Sequence, residues 1–131
     1  MDTSVLTFLW KVEGHDMIKV YLGGFTAWAT EDRYGGGVTN EFELTPSPEP
    51  TYVFAAYDNG GYEGDAVVII SEDGETFSVV EGSHCSCYGL EGQWSTTEHG
   101  VEEVLRMFCD REYGAANEYK TELVQWLFQF N

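Results

Sequence analysis

Positive charge is scarce in this sequence. Six Lys and Arg stand against 23 Asp and Glu, a formal net charge of −17. So few cations argue against direct contact with nucleic acid, where Lys and Arg must displace counterions from phosphates. Anionic membrane surfaces are disfavoured for the same reason. Proline is also scarce, with all three residues between Pro46 and Pro50. No helix or central strand crosses that stretch, so it reads as a stiff connector. Cysteine numbers three, an odd count that a reducing compartment would keep as thiols. No apolar run approaches the ~18 residues of a membrane span. Met1-Asp2-Thr3-Ser4 carries no basic leader, so the expectation is a cytoplasmic protein with no membrane partner.

What is present is aromatic and acidic. The chain has 131 residues, with eight Tyr, eight Phe and four Trp, which fits one globular domain able to bury a core. Large acidic charge also speeds encounter with a basic partner. The plain reading is a soluble acidic protein; the sharper one is a basic partner, such as a protein whose own surface normally grips nucleic acid.

The patterning predicts an α+β domain in three parts. Residues 1–45 read as an N-terminal β part. Val5–Val12 and Met17–Leu22 form a hairpin about the Glu13–Asp16 turn, although Val5, Phe8, Leu9 and Val12 also share a helical face. Phe25–Thr30 reads as a short strand, and Val38–Leu44 as an alternating one. Gly35-Gly36-Gly37 is a break without the Lys of a phosphate-cradling loop. Residues 51–94 read as a β meander. Thr51–Tyr57 is a strand, Asp65–Ser71 is apolar on both faces and so central, and Asp73-Gly74 marks the hairpin to Thr76–Glu81. The meander ends in an irregular loop, Gly82–Trp94. Residues 95–131 read as two helices on one face of the antiparallel sheet. Ser95 and Glu98 have capping-box spacing. Val101, Val104, Leu105 and Phe108 follow on one helical face, in a helix ending near Tyr113-Gly114. Ala115–Phe130 is the second helix, with Ala116, Tyr119, Leu123, Leu127 and Phe130 on one stripe. Trp126 and Phe128 lie on different sides of it, so one of them should meet a second surface: the first helix or a sister chain in a homodimer.

Chemistry concentrates in Gly82–Trp94. His84, Cys85 and Cys87 are soft or borderline metal ligands, and Cys109 or His99 could complete a tetrahedral zinc site. Cys-x-Cys lacks the usual spacing of such sites and no second pair follows. The expectation is therefore no metal and no cofactor, with the cysteines packing as small apolar residues. A His84–Cys85 thiolate pair is poorly aimed, since neighbours in a strand point to opposite sides. Asp58, Glu63 and Asp65 flank a glycine-rich turn and could hold a divalent cation, but they do not fit an EF-hand loop. Nothing singles out a carboxylate pair for glycosidase work. Loop aromatics among carboxylates suit a protein interface, and they suit an ordinary core as well. The expected partner-binding set is Tyr57, Asp58, Tyr62, Glu63, Asp65, Tyr88, Glu91 and Trp94.

Tyr62-Glu63-Gly64-Asp65-Ala66, the Asp73-Gly74 hairpin and Gly82-Ser83-His84-Cys85-Ser86-Cys87-Tyr88-Gly89-Leu90-Glu91-Gly92-Gln93-Trp94 resemble a group of uncharacterised small proteins from bacteriophages and prophages. The resemblance covers Tyr52 to Phe108. It implies a phage context, hence the cytoplasm of a host cell, but carries no activity or site residues with it. Small acidic phage proteins often block a host nucleic-acid-binding machine, some by imitating DNA. The leading expectation is such an inhibitor, of anti-CRISPR or anti-restriction type and not an enzyme. The alternatives are a small metal-dependent or thiol enzyme centred on His84, Cys85 and Cys87, and a phage accessory or structural protein.

Overall fold

The meander forms as its alternation predicts, and two more strands extend it. The computed structural model describes residues 19–29, 37–43, 48–59, 63–85, 94–112 and 114–130. Among these residues five strands form one sheet in the order β1-β2-β3-β4-β5. They are β1 (Lys19–Leu22), β2 (Tyr52–Asn59), β3 (Gly64–Ser71), β4 (Thr76–His84) and β5 (Trp94–Gly100). Neighbours pair antiparallel from β2 to β5. The architecture is α+β. No helix among the described residues is long and apolar enough to cross a membrane.

β3 is central, as its two apolar faces require. Val67 and Ile69 face one side with Phe54, Ala56, Phe77 and Val79. Ala66 and Val68 face the other with Val53, Ala55 and Tyr57. The β3–β4 turn is held by the Asp73 side chain. Its Oδ1 accepts the amides of Glu75 at 2.8 Å and Thr76 at 2.9 Å, and Gly74 takes φ +76, which favours glycine. Four residues, Glu72 to Glu75, make the connection, so it is a side-chain-stabilised turn and not a two-residue one.

The N-terminal part departs from expectation. Residues 5–12 and the Glu13–Asp16 turn lie outside the described residues. β1 pairs parallel to β2, with Lys19 opposite Val53 and Leu22 opposite Ala56. A parallel neighbour demands a long crossover, and this one contains a helix where a strand was expected, α1 (Val38–Phe42). Val38 and Phe42 are buried one turn apart, and over five residues that spacing competes with alternation. The loop before α1 satisfies its first amides: Val38 and Thr39 donate to the carbonyls of Ala27 and Trp28, each at 2.9 Å. Phe25–Ala29 is not a strand. Phe25 is buried against Phe42 and Tyr57. α1 thus covers the sheet face opposite the C-terminal helices, which turns the expected one-sided packing into a layer on each face.

At the C-terminal end the capping-box spacing misleads. Ser95–Glu98 is strand, with Thr96 and Thr97 opposite Val80 and Val79. β-branched residues pack well there. The helix starts later, as α2 (Val101–Cys109), with Gly100 at its N-cap, and it ends short of Tyr113. Val104 and Phe108 are buried, and Val101 and Leu105 pack against the same core. The last helix is interrupted at Tyr119 (φ −113, ψ 32), giving α3 (Ala115–Glu118) and α4 (Lys120–Phe128). Lys120 reaches back to the carbonyls of Cys109 at 3.0 Å and Arg111 at 2.9 Å. Trp126 is fully buried, and its ring lies 5.8 Å from both Phe54 and Phe77 and 5.0 Å from Phe130. Phe128 is 57% exposed.

Candidate functional site: an acidic cleft at one end of the sheet

The registers of β2, β3 and β4 bring one end of the sheet to a common edge. Asp58 stands opposite Asp65, Asp65 opposite Ser83, and Gly64 opposite His84. The result is a cleft of about 650 Å³ lined by Asp58, Glu63, Asp65, Glu81, His84 and Cys85, with Gly114 closing it from the helical side. Three of the expected partner-binding residues and two of the candidate metal ligands thus meet here, although the sequence separates them by up to two strands.

Asp65 is the best-anchored group of the cleft. Its Oδ1 accepts the Ala115 amide at 2.8 Å, one of the amides that the start of α3 leaves without a helical partner. Gly114 precedes it at φ +89, and a side chain there would meet Asp65 Oδ2 at 2.5 Å. Burial pushes the Asp65 carboxyl above the ordinary Asp range, and the Asp58 charge adds to the push. The Ala115 amide opposes it. Asp65 therefore is not the exposed strand-start residue that the sequence implies: it is half-buried and structural as well as acidic. Glu81 pairs with Arg111 at 2.9 Å, and the Arg111 guanidinium lies 4.8 Å from the centre of the Phe108 ring.

His84 lies in β4, so the irregular loop begins later than expected. Its ring meets the Tyr57 ring edge-on at 5.6 Å, and its buried Nε2 has no hydrogen-bond partner among the described residues. Tyr57 itself is core: only 6% is exposed, so it cannot anchor a partner directly. Trp94 is exposed as expected, at 38%. It lies on the α1 face of the sheet, as Tyr57 does, and away from the helical side that holds Asp65, edge-on to Phe42 at 6.3 Å. Tyr62, Cys87, Tyr88 and Glu91 lie outside the described residues. Cys109 is exposed on α2. His99 is bonded to Thr97 and Glu103. Among the described residues no group of three or more His, Cys, Asp or Glu side chains is arranged to hold a metal ion.

Sequence reasoning missed Glu81, Arg111 and Gly114. Glu81 carried a signal: it follows Phe77 and Val79 in the strand alternation, and a carboxylate in an inward series marks the end of a core. Arg111 and Gly114 carried none, because their roles depend on where α2 ends. No family model, curated protein or solved structure matches the chain.

Proposed function

We propose that this is a phage-type inhibitor that binds and blocks a host nucleic-acid-handling or defence complex, such as a CRISPR effector or a restriction enzyme. Its carboxylates stand in for nucleic acid phosphates. The observation that carries the reading is the cleft itself. Asp58, Glu63, Asp65 and Glu81 line one hollow in a chain of net charge −17. A basic protein groove would approach such a surface under long-range attraction, which acts mainly on the association rate. The resemblance of Tyr52–Phe108 to phage proteins supplies the biological setting.

The test is competition on a captured partner. The protein is immobilised, a bacterial lysate is passed over it, and the partner is released with salt. Association should slow steeply as salt rises, because exposed charges are screened within ~8 Å at physiological ionic strength. A DNA or RNA fragment should compete for the partner. Asp58→Lys with Glu63→Lys should weaken binding several-fold while the melting temperature holds. A partner that takes nucleic acid and this protein together, each independently of salt, sinks the reading.

A further inference from the structure

β5 ends the sheet, and no described residue pairs with its outer edge. Natural edge strands are usually blunted by charged side chains, Lys above all, or by Pro, a bulge or a cover, and here Glu98 is the one carboxylate. Trp94–Gly100 reads Trp-Ser-Thr-Thr-Glu-His-Gly: seven residues with neither Lys nor Pro, paired to β4 residue by residue without a bulge. Six of the seven are exposed.

Two hollows sit beside this edge, on the sheet face that α1 only partly covers. The first is apolar, about 260 Å³, and lies between Phe42 of α1 and Ile70, Val80, Trp94 and Thr96 of the sheet. Its volume falls below the ~300–1,000 Å³ usual for small-molecule sites, and it suits a single side chain. The second, about 200 Å³, is lined by Glu72, Asp73 and Glu98 among others. Both hollows share Ile70 and Ser78, so they are neighbours along the strand. Thr96 and Glu98 are two residues apart on the same face, about 7 Å at the strand rise.

We propose that β5 is a strand-addition site for an extended segment of a partner protein, with an apolar side chain in the Trp94–Phe42 hollow and a Lys or Arg two positions along against Glu98, Glu72 and Asp73. In this mode main-chain bonds supply affinity and alternate side chains supply specificity. Charge selects the occupant. Glu98 on the edge strand, with Glu72 and Asp73 of the β3–β4 turn lining the same hollow, calls for a cation. A second copy of this chain would bring Glu98 and another −17, so it fits poorly. The surface is distinct from the acidic cleft and does not depend on the inhibitor reading.

The probe is a synthetic Thr-rich peptide of seven residues, the length of β5, carrying Leu and Lys two positions apart in either order. Added at millimolar concentration to the intact protein, it should shift the Trp94–Gly100 amide resonances and slow their hydrogen exchange. A strand edge uses every second residue for its bonds. N-methylation at alternate peptide positions should therefore abolish binding in one phase and spare it in the other. Glu98→Lys should keep the melting temperature, lose the Lys peptide and take up its Glu counterpart. The proposal fails if no peptide binds, if the two N-methylated series bind alike, or if β5 amides are already fully protected in the free protein. It also fails if sedimentation finds a dimer closed through β5.

Discussion

The Asp65 carboxylate accepts the Ala115 amide across fifty positions of sequence, at 2.8 Å. One acidic residue thereby both lines the cleft and fixes the start of α3 to the sheet. This double role separates charge from structure in a way that can be measured.

Asp65→Ala should destabilise the fold by about 0.5–2 kcal/mol, the range for loss of a helix cap. Asp65→Asn keeps an acceptor and removes a charge that burial and Asp58 both disfavour. It should be neutral or stabilising at pH 7. The folded Asp65 carboxyl titrates above its unfolded value, so the folded state holds the proton more tightly and the penalty applies at pH above the folded value. As pH falls through it, the wild type should recover stability relative to Asp65→Asn. Urea denaturation of both proteins across acidic pH checks this, and a constant gap between them would contradict it.

Gly114→Ala should cost about 1–3 kcal/mol, the range for a residue held in a sparsely populated backbone region. Part of that cost comes from the approach of Asp65 Oδ2, at 2.5 Å from the added carbon. A double-mutant cycle with Asp65→Ala should show coupling between the two sites, measured by thermal and urea unfolding.

Trp126 and Phe128 should behave oppositely. Trp126→Ala empties the centre of a buried aromatic cluster and should cost about 3–5 kcal/mol. Phe128→Ala, at an exposed position, should stay within ~0.5 kcal/mol. If Phe128 meets a sister chain, the same variant should lower the dimer fraction in sedimentation. Truncation before Glu122 removes Leu123, Trp126 and Leu127, all fully buried, and should unfold the domain.

Lys19 and Glu49 form an ion pair at 2.8 Å, and the Tyr21 hydroxyl donates to the same carboxylate. Partial burial raises the Glu49 carboxyl, but these two partners outweigh it and leave it below the ordinary Glu range. A depressed folded value stabilises above the unfolded one, and the contribution fades as pH falls through the folded value. Glu49→Gln should therefore cost up to about 1 kcal/mol at neutral pH, as for an exposed pair. At strongly acid pH the variant and the wild type should unfold together in denaturant titrations. The Tyr21 hydroxyl is pushed up by burial and by Glu49, so its ultraviolet titration should be missing from the normal tyrosine range.

By itself the sequence determined the meander, the central position of β3, the Asp73-Gly74 turn and the apolar stripe of α2. Each rests on period or turn chemistry within a few residues, where physical preference is local. The tertiary structure decided the rest. Val38–Phe42 and Ser95–Glu98 are too short for period to choose between helix and strand; Trp28 and Ala27 carbonyls settle the first, and pairing with Val79 and Val80 settles the second. The parallel pairing of β1 with β2 depends on a crossover with no local signature. The cleft was legible as acidic residues but not as a site, because only strand register sets Asp58 opposite Asp65 and Gly64 opposite His84. Tyr57 and Trp94 looked alike beside their turns. Both point to the face that α1 covers, but Tyr57 sits on the inner strand β2 and is buried while Trp94 sits on the edge strand β5 and is exposed, a difference fixed by strand order, which no local pattern records.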